Sequence, residues 1–273
     1  MLEAIFLGVL QGLTEFLPIS SSAHIRIAGA LFGTAEDPGA TFTAITQIGT
    51  ELAVLIFFRR EIFAIIKALL QSIRTRRLDS QAQLGRAVII GSVPIVIIGF
   101  LLQDTIRTTF RSLWLISIVL ILFAVILGVA DRYGRSSKSL DSLTMRDALA
   151  FGLAQSLALI PGVSRSGATI AFGRARGYDR VSALRFSFFL ALPAVFGSGF
   201  FELYKSLSDP STPTIFTLPQ TFVATAIAFV VGYAVIRWLM RFVSTKSFAP
   251  FVIYRIALGI SLLIALQTSL LKA

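Results

Sequence analysis

Two polar stretches, Leu17-Pro-Ile-Ser-Ser-Ser22 and Pro161-Gly-Val-Ser-Arg-Ser-Gly167, interrupt the centres of two long apolar regions, 1–33 and 147–177. Proline and glycine break helices. At membrane depth, irregular backbone is tolerated only where it is buried in protein or lines a wet cavity. Each region is therefore predicted to form a helix, a polar turn and a second helix, which is a re-entrant helical hairpin.

The composition around these stretches is typical of a membrane protein. Hydrophobic residues make up 55% of the 273 residues and charged residues 14%, and the mean hydropathy is +0.82. A soluble domain carries about a quarter charged residues. A spanning helix needs about 20 mostly apolar residues. Runs of this kind lie at 40–58, 87–103, 112–130, 183–206, 219–243 and 249–271. The predicted fold is an all-α integral membrane protein with six transmembrane helices and two re-entrant hairpins.

The two interrupted regions resemble each other. A shift of 144 residues places Gln11 on Gln155, Ser20 on Ser164 and Ser22 on Ser166. We therefore expect one membrane domain, 1–273, built from homologous halves at about 1–130 and 147–271. Three spans in each half make the second half enter from the opposite face, so the repeat has inverted topology. Such folds hold their binding site near the midplane, where broken helices meet.

The net charge of +11 is assigned to membrane orientation and not to a nucleic-acid partner. Basic residues cluster in 59–86, 131–146 and 237–246, as in cytoplasmic loops. The opposite loops, near 104–111 and 207–218, are poorer in basic residues. The first hairpin is then expected to enter from outside and the second from the cytoplasm.

The chain has no cysteine, which excludes a thiolate nucleophile. Its N-terminus lacks the basic region of a signal peptide and is taken as part of the mature fold.

Polar residues of the first hairpin are candidates for chemistry. Glu15 lies in an apolar stretch, where a carboxylate is costly unless it is paired, hydrated or protonated. Gln11, one helical turn earlier, shares its face; a structural hydrogen-bonded pair is the alternative to a cation or acid–base site. If the second helix begins at Ser20 or Ser21, then Ser21 and His24 share a face as a hydroxyl and an imidazole. Ser20 is expected mainly to cap that helix. His24 is the one histidine, and a buried structural role is its alternative.

The second turn offers donors for an anion. Arg165 occupies the position equivalent to Ser21, and its guanidinium matches the geometry of phosphate oxygens. The hydroxyls of the same turn and helix add donors: Ser164, Ser166 and Thr169. The alternative for Arg165 is a structural counter-ion to Glu15, and both roles are compatible.

Together, these side chains favour a phosphoryl group, whose transfer depends on positioning and charge stabilisation. No Walker pattern is present, and no GxGxxG occurs in a strand–turn–helix unit. A site in the membrane favours a lipid phosphate as substrate. The alternative from another class is a lipid-phosphate flippase or anion transporter, because inverted repeats with broken helices are also a transporter architecture. A purely structural subunit would leave the insertion cost of Glu15 and Arg165 unexplained.

The stretches Gln11-Gly-Leu-Thr-Glu-Phe-Leu-Pro-Ile-Ser-Ser-Ser-Ala-His24 and Pro161-Gly-Val-Ser-Arg-Ser-Gly-Ala-Thr169 resemble the two signature motifs of the bacterial undecaprenyl-diphosphate phosphatases of the bacitracin-resistance type. The resemblance covers essentially the whole chain. It implies hydrolysis of undecaprenyl diphosphate to the monophosphate carrier lipid of cell-wall synthesis, in the bacterial inner membrane, at a site facing the external side. It also implies a divalent cation, Mg²⁺ or Ca²⁺, and bacitracin resistance when the protein is abundant. A homo-oligomer remains an open alternative.

Carried onto this sequence, the resemblance implies Ser21 as nucleophile, with His24 as a rival, and Arg165 as phosphate clamp. Glu15 and His24 would serve in cation binding or acid–base chemistry. The other motif residues are expected to bind substrate: Gln11, Ser20, Ser22, Ser164, Ser166 and Thr169. Two departures stand out. The family's first motif position is Glu or Gln, and Gln11 here weakens a paired-carboxylate metal site; Ala23 replaces a frequent glycine, which puts local backbone geometry in doubt.

Overall fold

The computed structural model describes residues 1–31, 39–102, 112–208 and 215–271. Within these ranges the chain is helical, as predicted, and two short 3₁₀ turns and one isolated bridge complete the regular structure. The α-helices are α1 (Leu2–Thr14), α2 (Ser21–Leu31), α3 (Ala40–Phe57), α4 (Arg59–Thr75), α5 (Ser80–Leu101), α6 (Leu113–Tyr133), α7 (Met145–Ser156), α8 (Arg165–Ala175), α9 (Arg180–Ser208), α10 (Leu218–Thr245) and α11 (Ala249–Gln267).

Five helices of the described chain are long and apolar enough to cross a membrane: α5, α6, α9, α10 and α11. This is the composition of a multi-pass membrane protein. The sixth predicted span, the run at 40–58, forms α3, whose 18 residues lie near the lower end of the length that crosses a bilayer core, so six full spans stay a prediction. The predicted loop at 104–111 lies outside the described residues, as does 209–214 of the loop at 207–218.

The prediction that 59–86 is a loop is wrong. Residues 59–75 form α4, and α5 begins at Ser80, several residues before the predicted span. The helix α4 is amphipathic: Ile65 and Ala68 are buried, while basic side chains alternate with them along the helix. A search for uninterrupted apolar runs overlooks such a helix, since its apolar residues recur every three or four positions.

Both interrupted regions form a helix, a turn and a second helix. The α1 and α2 helices are separated by residues 15–20, and α7 and α8 by residues 157–164. Each second helix begins directly after a serine with positive φ, +73° at Ser20 and +70° at Ser164. Non-glycine residues adopt this conformation at a cost of about 1–3 kcal/mol, so the surrounding structure must enforce it. The two turns therefore share an uncommon backbone geometry at positions 144 residues apart.

The helices of the two interrupted regions pack reciprocally. The α1 helix packs on α10, from the C-terminal part of the chain, while α7 packs on α5, from the N-terminal part. Small residues make both contacts close. A Cβ atom built at Gly8 would lie 2.6 Å from the carbonyl oxygen of Ala224, and one at Gly152 would lie 2.1 Å from that of Gly91. These close crossings attach α1 to α10 and α7 to α5.

Substitution of Gly152 by alanine is expected to destabilise the protein. The added methyl group has no room against the backbone of Gly91, and overpacking of this kind costs about 1–3 kcal/mol. The matched control is Gly197→Ala in α9, because a Cβ there meets no atom within 4 Å and alanine favours a helix. Thermal unfolding in detergent should show a lower midpoint for the first variant only; equal midpoints would contradict the α5–α7 contact.

The three basic segments lie at one end of the bundle. The Gln83 side-chain amide donates to the Leu143 carbonyl oxygen at 2.9 Å, which joins the first segment to the second. The Asp131 carboxylate accepts from the Phe248 backbone N–H at 2.9 Å and from Arg174 and Arg180. These contacts join the first basic segment to the second, and Asp131 of the second to Phe248, which lies two residues after the third.

Candidate active site

The two polar turns meet at one carboxylate. A guanidinium nitrogen (Nη2) of Arg165, the first residue of α8, donates to Glu15 Oε1 at 2.6 Å across 150 residues of sequence. Glu15 itself follows the end of α1 and is buried, whereas the Arg165 side chain is 14% exposed. The pair is thus a largely buried ion pair between the two turns.

Ser21 lies against the same carboxylate. Its hydroxyl donates to Glu15 Oε2 at 2.7 Å, and the Gln11 side-chain amide donates to that oxygen at 2.6 Å. Gln11 lies one helical turn before Glu15, at the end of α1, which allows the second contact, and the helix break before α2 brings Ser21 to the same carboxylate. A serine hydroxyl that donates to a carboxylate has an acceptor for its proton, which is the requirement for an activated nucleophile.

His24 is not the partner of the Ser21 hydroxyl in this structure. Its Nδ1 lies 2.7 Å from the Ser20 carbonyl oxygen, and its Nε2 lies 2.7 Å from the Tyr254 hydroxyl. The imidazole also stacks on the Tyr254 ring, at 5.6 Å between centroids. Because a carbonyl only accepts hydrogen bonds, Nδ1 carries the proton in this arrangement. Ser21 and His24 both lie in the first turn of α2, as expected. The imidazole, however, bonds to the Tyr254 hydroxyl of α11 and not to the Ser21 hydroxyl.

The serines before each helix act as caps in the same way. Ser164 Oγ accepts from the Gly167 N–H at 3.1 Å, and Ser20 Oγ accepts from the Ala23 N–H at 3.4 Å. Each also lies 3.2 Å from the hydroxyl two residues later, Ser166 or Ser22. These contacts fix the first turns of α2 and α8, whose remaining free backbone N–H groups are suited to binding an anion.

Thr169 supports Arg165 from within α8. Its hydroxyl lies 2.8 Å from the Arg165 carbonyl oxygen and 2.6 Å from the Ser187 hydroxyl of α9, and the residue is fully buried. These partners place Thr169 beneath the Arg165 backbone and attach α8 to α9. The substrate contact that the resemblance implies for this hydroxyl stays a prediction.

Sequence reasoning missed Glu51. This residue lies in α3, is fully buried, and accepts from the same Arg165 nitrogen at 2.6 Å. Arg165 therefore bridges two carboxylates, one from the first turn and one from α3. The signal was present in the sequence, since Glu51 is the one charged residue of the run 40–58, and a charge in a spanning helix marks a functional site by default.

Sequence reasoning also missed Arg255, which is fully buried in α11. Its guanidinium donates to the Pro18 carbonyl oxygen at 3.2 Å in the first turn and to the Gly162 carbonyl oxygen at 2.8 Å in the second. One side chain thus ties the two turns to each other. Arg255 was equally visible as the one charged residue of 249–267.

Three buried polar atoms of the site have no hydrogen-bond partner among the described residues: Gln11 Oε1, Glu51 Oε2 and Arg165 Nη1. Buried polar atoms are nearly always paired, so atoms of this kind point to a ligand. The nitrogen suits a phosphate oxygen, and the two oxygens are the hard ligands that Mg²⁺ and Ca²⁺ prefer. The described chain contains no group of three or more acidic, histidine or cysteine side chains placed to hold a metal, so a cation here would also need oxygens from the substrate.

Comparison with known proteins identifies the family of this chain. A family model described as bacitracin resistance protein BacA matches residues 4–261. An undecaprenyl-diphosphatase of Micrococcus luteus is 59% identical over 260 residues, 94% of each chain. One of Clavibacter michiganensis is 56% identical over 274 residues, 100% of this chain and 99% of that protein, and undecaprenyl-diphosphatase 2 of Agrobacterium fabrum is 52% identical over 274 residues, 100% and 98% of the two chains. A match of this extent, on a chain whose two motifs share one buried carboxylate, shows that the protein belongs to the bacitracin resistance protein BacA family.

Proposed function

We propose that this protein hydrolyses undecaprenyl diphosphate to undecaprenyl phosphate and inorganic phosphate. The observation that carries the proposal is the meeting of a hydroxyl and a guanidinium on one carboxylate: Ser21 at 2.7 Å and Arg165 at 2.6 Å from Glu15. The proposed nucleophile, Ser21, and the proposed phosphate-binding group, Arg165, thus both lie within hydrogen-bond distance of the proton acceptor, Glu15. The relatives that share nearly the whole chain are named for this activity.

In the first step, Ser21 Oγ attacks the terminal phosphorus and its proton passes to Glu15 Oε2. The new O–P bond forms as the anhydride P–O bond breaks, and undecaprenyl phosphate leaves with the bridging oxygen. In the second step, water attacks the phosphoserine, inorganic phosphate leaves, and Ser21 regains a proton from Glu15. Splitting the reaction in this way is the general advantage of covalent catalysis.

Arg165 neutralises the charge that develops on the transferred phosphoryl group. Its Nη1 has no hydrogen-bond partner in the described part of the chain, so it can bind a phosphate oxygen while Nη2 stays bonded to Glu15 and Glu51. The N–H groups at the starts of α2 and α8 add donors that are already oriented. Such preorganised charge is the main source of catalysis in phosphoryl transfer.

His24 remains the rival nucleophile. Both of its ring nitrogens are occupied, by the Ser20 carbonyl and by the Tyr254 hydroxyl, whereas the Ser21 hydroxyl already donates to a base. These contacts favour Ser21. They leave His24 the task of fixing the Ser20 backbone and of joining α2 to Tyr254 of α11.

A divalent cation, Mg²⁺ or Ca²⁺, is proposed as cofactor. Glu15 and the Gln11 amide oxygen are the motif residues that would hold it, together with oxygens of the diphosphate, which is how Mg²⁺ is commonly bound. When bound, the cation supplies further neutralisation of the diphosphate charge.

The membrane arrangement proposed for the site is an inverted repeat of two halves in one domain, with six spans and two re-entrant hairpins. It is supported by the reciprocal packing of α1 on α10 and α7 on α5, and by the matching φ angles of Ser20 and Ser164. The basic end would face the cytoplasm of a bacterium and the first turn would open to the external side of the inner membrane.

The test is release of inorganic phosphate from undecaprenyl diphosphate by the purified protein in detergent, where no membrane separates two compartments. A phosphatase releases phosphate under these conditions. A flippase or transporter with the same fold would bind the lipid without cleaving it, and that result would overturn the proposal.

A further inference from the structure

Glu51 is the feature of the site that the two motifs do not explain. It lies in α3, outside both turns, and is fully buried. Its Oε1 accepts from Arg165 Nη2 at 2.6 Å, the same distance as Glu15 Oε1 from that nitrogen. The two carboxylate oxygens are therefore within twice that distance of each other.

A counter-ion role for Glu51 leaves its presence unexplained. Arg165 is already neutralised by Glu15, so Glu51 adds a second negative charge to a group with a single positive one. An uncompensated buried charge is strongly unfavourable. In addition, Glu51 Oε2 has no partner among the described residues, and neither has Gln11 Oε1. Excess negative charge and unpaired oxygens together match the needs of a cation.

We propose that Glu51 is a ligand of the divalent cation in this site, and that Glu15 and Glu51 form the paired carboxylates of a metal site to which Gln11 adds a neutral oxygen. Glu51 thereby supplies the second negative charge that a glutamine at position 11 does not provide. This inference rests on the proposed phosphatase function, because the remaining ligands are oxygens of the diphosphate.

The experiment measures Mn²⁺ affinity by electron paramagnetic resonance of the purified full chain, without and with methylenediphosphonate, a diphosphate that cannot be hydrolysed. Glu51→Gln keeps the size of the side chain and removes the charge. Its Kd for Mn²⁺ is expected to rise by about 10-fold or more, the scale on which changes around a metal alter affinity. The matched control is Glu202→Gln in α9, a buried glutamate bonded to Thr41 and outside the site, whose Kd is expected to match that of the wild type.

A second variant protects the test against misfolding. Gln11→Glu combined with Glu51→Gln returns the lost charge on α1, beside Glu15, and is expected to recover most of the Mn²⁺ affinity. An unchanged Kd in Glu51→Gln overturns the inference, as does the absence of Mn²⁺ binding by the wild type under both conditions. Failure of the phosphatase proposal is distinct, because the wild type would then release no phosphate at any cation concentration.

Discussion

Replacement of Ser21 by alanine is expected to lower kcat for phosphate release by about 10³-fold or more, since loss of a catalytic nucleophile costs several orders of magnitude. The hydroxyl that donates to Glu15 at 2.7 Å disappears, and with it both the attacking atom and the route of its proton. Binding of the diphosphate should change little, because Arg165 and the helix N-termini remain. Single-turnover rates at saturating lipid measure the chemical step, and equilibrium binding measures the rest.

The matched control is Ser92→Ala. Ser92 is also a buried serine, but its hydroxyl lies near the backbone oxygens of Val88 and Leu190, between α5 and α9. Its loss should leave the single-turnover rate within a few-fold of the wild type. A Ser21→Ala protein that turned over as fast as the Ser92→Ala protein would remove Ser21 from the mechanism.

Replacement of Arg165 by alanine is expected to damage both catalysis and stability. The variant leaves Glu15 and Glu51 buried without their shared cation, and breaking a buried ion pair costs about 3–5 kcal/mol. Loss of an arginine that neutralises a transferred phosphoryl group costs about 10³-fold or more in rate. Arg165→Lys keeps the positive charge but loses the planar set of guanidinium donors. Its rate and its stability should therefore lie between those of the wild type and those of Arg165→Ala.

Two further variants separate the effects on stability and rate. Arg165→Ala combined with Glu51→Gln removes one of the stranded charges, and should recover part of the stability while phosphate release stays low. Arg185→Ala breaks a pair with Glu61 that is partly exposed, where ion pairs contribute about 0–1 kcal/mol, and should retain its activity. Thermal unfolding and initial rates report both quantities, and an active, stable Arg165→Ala protein would contradict the geometry of the site.

The sequence was sufficient to predict the helical class, most spans and the breaks at both turns. Apolar runs, proline and repeated serines act locally, so they can be recognised without knowledge of the fold. The amphipathic α4 was missed because its apolar residues are not consecutive. The run at 40–58 was predicted close to its observed bounds, since α3 covers Ala40–Phe57, but 18 residues are near the lower end of the length that crosses a bilayer.

The parts of the site that sequence reasoning did not predict depend on contacts between distant segments. Glu51 meets Arg165 across 114 residues, and His24 meets Tyr254 across 230. Spacing along α2 places Ser21 and His24 on one face, but it cannot show that a tyrosine from α11 binds the imidazole. Glu51 and Arg255 were visible as lone charges in apolar runs; only the fold shows that both converge on the two turns.

The most direct test of whether Ser21 attacks phosphorus held by Arg165 is to trap the phosphoenzyme. Undecaprenyl diphosphate labelled in its terminal phosphate is turned over, the reaction is quenched rapidly, and the labelled residue is located by mass spectrometry. The predicted result is an acid-stable phosphate on Ser21 that is absent from Ser21→Ala. An acid-labile phosphate on His24, with Ser21 unmodified, would contradict it.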